Sequence, residues 1–431
     1  MKKKLIFSIL ITLIALLQTK PVIAVDIRQN DTTAIDFHKT ELNTGFIFSI
    51  FPEREELITN RSRDYQESVT GTLNFRVKRK EWTYLPYLQE YWDCSFEAGL
   101  FGADGNFIDS SASEVIRADH RFFGINGKAS GSYSGRYYYD RRNFTLVSLN
   151  IWSQYDLYKK DASGTKIDSN LFAGSYSKVT GESEFRIGFQ AKAGWGTGRL
   201  DNINHLVTAE RFLEKYYPQR LFSKSEITML AREIGRIKGQ RSILQAHSFE
   251  KEVEQMISFL SHKLLLESPT GAIGFWKFSE FSPRFNGTRF GIGPFFNYLN
   301  YEPDFIYGGY MEFMNEKYCG VKWNRSISGE ISYNRYKKMD WLMLETLLGW
   351  SYYPGIKSEY SFGIRYIPGV EVQSIEKFGP WGHSFIPYIR YFSQINHRSR
   401  IDLTMSWRIA SNDRFMLPGP EMSINIYRSR Y

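Results

Sequence analysis

Cysteine is almost missing from this chain, with two in 431 residues, which excludes a disulfide framework of the kind that staples small secreted domains. A second long apolar run is missing too. After residue 24 no stretch approaches the about 20 apolar residues that a membrane-crossing helix needs, and the mean hydropathy is −0.39. A strong charge is also lacking. The formal net charge of +9 includes Lys2, Lys3, Lys4 and Lys20, and without them it falls to about +5, too mild to argue for a nucleic-acid partner. Those lysines open a recognisable segment. Met1 and three lysines precede an apolar run from Leu5 to Leu17, and Val22, Ile23 and Ala24 precede the first acid, Asp26. This is the layout of a secretory signal peptide over residues 1–24, with cleavage expected after Ala24. No cysteine lies near that point, so lipidation is not expected.

What the chain does have is aromatic residues, 16% of the total, and alternation. Phe185, Ile187, Phe189, Ala191, Ala193 and Trp195 interleave with Glu184, Arg186, Gln190 and Lys192. Ile401, Leu403, Met405, Trp407 and Ile409 do the same with Asp402, Thr404, Ser406 and Arg408. Neighbouring side chains on a strand point to opposite faces, so each run has one apolar and one polar face. A soluble sandwich gives the same alternation. Length separates the two, because sandwich strands average about 5 to 6 residues and a bilayer-crossing strand takes about 9 to 11. Several runs here meet the longer requirement.

Strands are predicted at 44–52, 67–79, 86–101, 121–139, 143–157 and 183–196. After an interruption they resume at 270–282, 288–300, 305–314, 318–335, 341–352, 358–367, 370–375, 384–394, 399–410 and 422–431. The fold class is therefore all-β, an antiparallel transmembrane β-barrel of about 14–16 strands with a three-helix insert. Barrels of this kind have short turns at one end and long loops at the other. The predicted odd connections are long: Glu53 to Tyr65, Gly102 to His120, Leu157 to Glu182, Glu376 to His383 and Ser411 to Glu421. The even ones are tight: Asp140 to Arg142, Tyr301 to Asp304, Lys337 to Asp340, Pro368 to Gly369 and Asn396 to Ser399.

Four parts follow: a signal peptide (1–24), a first barrel part of about six strands (25–198), a helical insert (199–267), and a second barrel part of about ten strands (268–431) ending on Tyr431. In the insert, Leu206, Ala209, Leu213 and Tyr216, then Ile227, Leu230, Ala231, Ile234 and Ile237, then Phe249, Val253, Met256, Ile257, Leu260 and Leu264 follow helical spacing. Ser223 and Glu226 fit a capping box, and Pro218 and Pro269 separate or end helices. The insert follows a downward strand, so it is expected on the periplasmic side.

The chemistry-bearing candidates are few. Lys215, Arg220, Lys224, Arg232, Arg236, Lys238 and Arg241 make the insert basic; they are read as a docking face for a periplasmic protein or an anionic envelope polymer, or as a solvated helix surface. Arg76, Glu97, Glu184, Lys192, Lys322, Glu330, Arg365, Asp402 and Arg408 are expected to line the lumen, either selecting ions or closing it with salt bridges. Gly194, Trp195, Gly196, Thr197, Gly198 and Arg199 lack the ending of a phosphate loop and are read as an exit turn at the membrane interface, where glycine permits a positive φ. Ser175 and Lys178 fit S-x-x-K without its companion motifs. The seven histidines are scattered, and His383 and His397 stand at opposite ends of one strand. No metal, cofactor or catalytic residue is assigned, and an enzyme is not expected. Cys94 and Cys319 are expected as free, buried thiols on lipid-facing positions of strands that are not neighbours.

The segment Met1 to Ala24, the alternating strands, and the terminal Met422, Ile424, Ile426, Tyr427 and Tyr431 together resemble a Gram-negative outer-membrane β-barrel. The aromatic, lysine-rich character with a helical insert is similar to uncharacterised barrels of Bacteroidota. The resemblance implies an outer-membrane location in contact with lipid and carries over no functional residue. Two roles stay open from the residues, a structural or partner-docking component acting through the insert and a porin-like channel or passive transporter. An outer-membrane hydrolase and a soluble all-β binding protein are the outside alternatives.

Overall fold

The computed structural model describes residues 36–431 apart from 59–61, 112–113, 169–172, 242, 244–247, 281–282, 302, 338, 375–376 and 411–417. The expected signal peptide lies outside the described residues. Six strands come first: β1 (Phe37–Ile58), β2 (Ser62–Leu85), β3 (Leu88–Ser111), β4 (Glu114–Tyr138), β5 (Asn143–Asp168) and β6 (Ala173–Asn202). Then come the helices α1 (Asn204–Tyr216), α2 (Lys224–Gly239), α3 (Phe249–Lys263) and α4 (Ala272–Lys277). The wall resumes with β7 (Phe285–Leu299), β8 (Phe305–Tyr318), β9 (Trp323–Tyr336), β10 (Met339–Tyr352) and β11 (Ser358–Ser374). It ends with β12 (Lys377–Phe378), β13 (Gly382–Gln394), β14 (Ser399–Ala410) and β15 (Gly419–Arg430).

Every neighbour pair is antiparallel, and the ring is closed because β1 pairs with β15 and β10 pairs with β11. The two-residue β12 only adds to the end of β11, which leaves 14 strands in the wall. Two of the sixteen predicted strands are not there. Residues 270–282 hold α4 and the loop after it, not a strand. Residues 370–375 are no separate strand, because β11 runs through Pro368 and Gly369 with its pairing to β13 unbroken at Pro368↔His383 and Gly369↔Gly382. Proline is tolerated there because its missing N–H need not face a ladder partner at every rung.

The first false strand reversed the direction assigned to everything after it, and the second restored it. The turns at Tyr301 to Asp304 and Lys337 to Asp340 therefore lie at the same end as the β1–β2 hairpin, opposite to the end expected. The remaining tight turns, Asp140 to Arg142 and Asn396 to Ser399, share the other end with both ends of the described chain, Phe37 and Tyr431, and with the insert.

The outside of the wall is apolar. Phe46, Leu73, Phe96, Ile125, Ile151, Phe185, Ile292, Phe313, Ile331, Phe362, Ile389 and Met405 are all exposed there. A continuous exposed band of this kind is covered by lipid rather than water. Exposed aromatics mark both rims, with Tyr87, Tyr139, Trp195, Trp323 and Trp350 toward the insert end and Phe123, Tyr155, Tyr298, Tyr333 and Trp407 toward the other, as interfacial girdles do.

The wall is not equally tall all round. Strands β14 and β15 have 12 residues each, while β5 has 26 and β6 has 30, far beyond the about 9 to 11 that cross a bilayer. Along β3, β4 and β5 the outward face changes from Leu100, Phe123 and Leu157 to Asp104, Arg121 and Lys159, with Arg121 and Asp104 side by side at 3.6 Å and well exposed. The long loops expected at Glu53 to Tyr65, Gly102 to His120 and Leu157 to Glu182 are thus mostly strand, paired rung by rung to Ile58↔Arg63, Ser110↔Val115 and Ile167↔Ala173. Their outer residues are polar because they stand in water above the bilayer, which is why the apolar alternation fades while the backbone pairing continues. Phe107, His120, Phe122 and Tyr158 face inward and touch one another.

The glycine-rich segment is also strand. β6 continues through Gly194 to Arg199, and its last rung is Asn202↔Phe285. Gly198 does have the positive φ, +92°, and an added Cβ would sit 2.2 Å from the Thr288 carbonyl oxygen, but it accommodates close strand approach and not an exit turn. Cys94 and Cys319 are free, and both are exposed rather than buried. Cys319 stands in the β8–β9 turn at the insert end and not on a strand, so its expected lipid-facing position does not hold.

Candidate functional site at the plugged mouth

The insert folds around its own apolar core. Ala209, Phe212 and Leu213 of α1, Leu230, Ala231, Ile234 and Ile237 of α2, Val253, Met256 and Leu260 of α3, and Phe275 and Trp276 of α4 are buried against one another. These are largely the positions that helical spacing selects. The capping box is formed, with Ser223 Oγ accepting from the Glu226 N–H and the Glu226 carboxylate accepting from the Ser223 N–H at 2.8 Å. The insert is longer than the sequence indicates. It spans 203–284 and includes α4, whose six residues are too few to show a period.

This helical unit is seated in the mouth of the barrel at the end that holds Phe37 and Tyr431. Arg211, on the buried side of α1, donates to the carbonyls of Val321 and Tyr353 at 3.0 Å each and to that of Gly355. Arg284, just before β7, donates to Val321 at 2.9 Å and lies over the Tyr353 ring at 4.1 Å. Two arginines thereby occupy carbonyls left open by the β8–β9 and β10–β11 turns. Burial pushes the Arg211 guanidinium down to about 10, with Arg284 adding to the effect, so it stays charged at neutral pH. Ile356 packs on the helical core, and Lys357 lies over Phe278 at 4.0 Å.

Glu280 forms the other anchorage. Its carboxylate accepts from Lys238 at 2.8 Å and Arg241 at 2.7 Å in the insert, and from Lys39 of β1 at 3.2 Å. Its backbone carbonyl accepts from Gln394 of β13 and Arg400 of β14. Lys39 and Arg400 also hold Glu41, at 3.2 and 3.0 Å. Arg241 forms a second pair with Glu252 at 2.7 Å, whose carboxylate also accepts from the Trp276 indole N–H. Burial alone would raise the Glu280 pKa, but Lys238, Arg241 and Lys39 hold it well below the ordinary carboxylate range. Burial pushes Lys238 down to about 8 against the pull of Glu280. His205, packed at a tilt against Phe37 of β1 with ring centres 5.2 Å apart, is pushed down to about 3 by burial and the neighbouring Lys238.

The basic residues singled out in the insert therefore separate into two groups. Lys238 and Arg241 are not on a docking face; they point into the seam between helices and wall, because the carboxylate that pairs with them comes from residue 280. Lys215, Arg220, Lys224, Arg232 and Arg236 are on the exposed side. Arg220 pairs with Glu226 at 2.7 Å, Arg236 with Glu233 at 2.6 Å, and Lys215 lies over the Tyr216 ring.

Eight of the nine residues named for the lumen lie on strands, and each belongs to an ion pair. Arg76 pairs with Glu97 at 2.6 Å, Lys192 with Glu330 at 2.7 Å, Glu184 with Arg186 at 2.7 Å and Arg365 with Glu345 at 3.3 Å. Asp402 accepts from Arg390 at 2.8 Å, and Arg408 pairs with Glu421. The exception is Lys322, which lies in the β8–β9 turn and not on a strand, because the run predicted at 318–335 breaks there. Sequence reasoning missed Glu280, Glu41, Lys39, Arg400, Arg211 and Arg284. Arg211 could have been noticed as a cation on the buried side of an apolar helix; for Glu280 there is no local signal.

No protein-family model and no curated protein matches the chain. Solved structures do match in outline. The translocator domain of the autotransporter NalP from Neisseria meningitidis aligns over 94% of this chain and 91% of its own at 7% identity and a TM-score of 0.30. An outer-membrane channel from Pseudomonas putida F1 aligns over 93% and 98% at 8% identity and a TM-score of 0.31. The outer-membrane protease OmpT from Escherichia coli aligns over 92% and 96% at 9% identity and a TM-score of 0.26. Their roles differ from one another, and at such scores the likeness carries nothing about site or activity.

Proposed function

We propose that this chain is a Gram-negative outer-membrane barrel, exported by its signal peptide, whose periplasmic mouth is shut by its own helices, and that it works as a gated, non-enzymatic channel. The observation that carries this reading is the seating of the insert: Arg211, Arg284 and Glu280 tie it to the wall by charge and backbone carbonyls, while its apolar core is turned in on itself. A plug built this way can leave the mouth without unfolding. The end that holds the insert lies opposite the tall rim where β3, β4 and β5 stand in water, and it is assigned to the periplasm because the longer projections of such barrels are extracellular. The kinship with Bacteroidota barrels that carry a helical insert is part of the same proposal.

Planar-bilayer conductance tests it. The full chain is expected to be mostly closed. A chain in which residues 203–284 are replaced by a short glycine turn is expected to conduct steadily, and the adjacent rung Asn202↔Phe285 makes that join geometrically feasible. A folded, plug-free barrel that never conducts would sink the channel reading.

One observation favours a docking role beside it. Leu221 is 99% and Leu265 83% exposed, and Arg220 donates to the Leu264 carbonyl between them at 3.2 Å. Two bare leucines framed by Arg220 and Lys224 are suited to an acidic periplasmic protein with an apolar contact, or less well to an anionic envelope polymer. Loss of a cross-linked envelope partner on Leu221→Ser with Leu265→Ser, with conductance unchanged, is the result expected of that role.

A further inference from the structure

On the side of the lumen away from the plug, the inner wall of β1 to β6 holds an open recess of about 180 Å³, lined by the rings of Phe51, Phe101, Phe122 and Tyr158 and by polar side chains between them. We propose that this recess binds one ring of a neutral sugar, a pyranose whose C–H face lies on the aromatic side and whose hydroxyls meet Gln66 and Gln154.

The aromatic side is stiff and partly bare. Tyr158 stands edge-on to Phe101 and Phe122, with ring centres 5.9 and 5.2 Å apart, while Phe51 and Phe101 are only half-buried. The polar side consists of uncharged groups with capacity to spare. Gln66 accepts from Lys160 through Oε1 at 3.2 Å, and Gln154 donates to Asp156 at 2.5 Å. The Gln66 amide N–H groups and the Gln154 Oε1 have no partner among the described residues, and they are open to the recess rather than sealed in the wall. An amide offers two donors and one acceptor oxygen, so these two side chains supply both halves of what a hydroxyl needs. The charges of the recess are spent on one another: Arg186 lies between Glu184 at 2.7 Å and Asp156 at 3.7 Å, Lys128 faces Asp156, and Glu53 accepts from Thr70 at 2.7 Å. Neither a free anion nor a free cation is the natural occupant of such a place. A pyranose is, because its C–H groups meet the negative faces of aromatic rings and its hydroxyls both donate and accept. The volume lies below the about 300–1,000 Å³ of pockets for drug-sized ligands, which fits one ring and not a chain. This site does not depend on the channel reading, because it needs only the folded barrel.

The test is saturation-transfer NMR on the full chain, in a detergent without a sugar headgroup, with D-glucose, D-galactose and D-mannose as probes and sorbitol and glucuronate as controls. A saturable signal is expected from at least one of the three pyranoses, strongest at its ring C–H protons. Weaker binding is expected of sorbitol, which has the hydroxyls without the ring, and of glucuronate, which brings a charge. Phe101→Ala and Gln154→Ala should each weaken binding of that sugar, the first by about tenfold or more, and Lys192→Met, at the salt bridge with Glu330, should leave it unchanged. Heat-modifiable gel mobility confirms that each variant is a folded barrel, and Phe101→Leu replaces Phe101→Ala should that variant misfold. No saturable signal from any of the three pyranoses, binding of sorbitol or glucuronate as tight as theirs, or equal binding by wild type and the two recess variants would overturn the proposal.

Discussion

The inside of the helical plug and the seam between plug and wall are equally dry, yet they are built from opposite materials. The interior is Leu230, Ile234, Met256, Phe275 and Trp276, with no charge among them. The seam is centred on Lys39, Glu41, Lys238, Arg241, Glu280 and Arg400, all charged, with Phe37 against His205 beside them. Apolar packing is non-directional and roughly additive in buried area, so it makes the helices one body. A buried ionic cluster is different: it adds little net stability when complete and costs much when broken. The contrast teaches that the plug owes its integrity to one set of residues and its position to another.

The sharpest way to break this contrast is Glu280→Ala, which leaves Lys39, Lys238 and Arg241 facing one another. Removing one member of a buried charge cluster typically costs about 3–5 kcal/mol. Hydrogen exchange is expected to show the plug unseated while α2 and α3 keep their internal protection; loss of both together would mean that seat and core are not separable. Leu230→Ala comes next. It should cost about 2–5 kcal/mol and have the opposite signature, with α2 losing protection first.

Acidification is a milder test of the seam. His205 is held near pKa 3 against an ordinary value of 6.5, so the unfolded or unseated form takes up its proton first. Its contribution is fully present above pH 6.5 and is lost as the pH falls toward 3. Lys238, Arg241, Lys39 and Glu280 face it; Lys238, held at about 8, Arg241, whose pKa is raised, and Glu280, whose pKa is depressed, keep their charge in this window. Between pH 6.5 and 5 the seating should weaken by about 2 kcal/mol at 1.36 kcal/mol per unit, seen as a rise in open probability that His205→Gln abolishes. The smallest effect is expected for Arg236→Ala, on the outer face. Its pair with Glu233 is exposed, and such pairs are worth about 0–1 kcal/mol, so melting and conductance should not change measurably.

The same contrast explains what could be read from the sequence. A period of two marks a strand whose faces meet different media, so Phe185 to Trp195 and Ile401 to Ile409 announce themselves. A period near 3.6 marks Ile227 to Ile237 as a helix packed on one side. Where β3, β4 and β5 rise out of the bilayer, the outer face turns polar, and Asp104, Arg121 and Lys159 look like loop. Residues 270–282 misled because Phe275, Trp276 and Phe278 give the run the aromatic enrichment of a strand, and a six-residue helix shows no contrary period. The seam was not legible at all. Nothing near Glu280 in the sequence says that Lys39, Lys238 and Arg400 will meet it; that meeting is a product of ring closure and of the fold of the insert.

The adjacency of Asn202 and Phe285 has a consequence for how the molecule is made. A flexible segment joining β6 to β7 would pay a chain-entropy cost for bringing its ends together, and the two halves of the barrel would have to find each other across that gap. Once α1 to α4 have condensed, the departing and returning strands already stand one rung apart. The insert then acts as a ready-made hairpin, from which β6 and β7 can zip toward the far rim, and the part that closes the finished barrel is also the part that aligns its two halves during assembly.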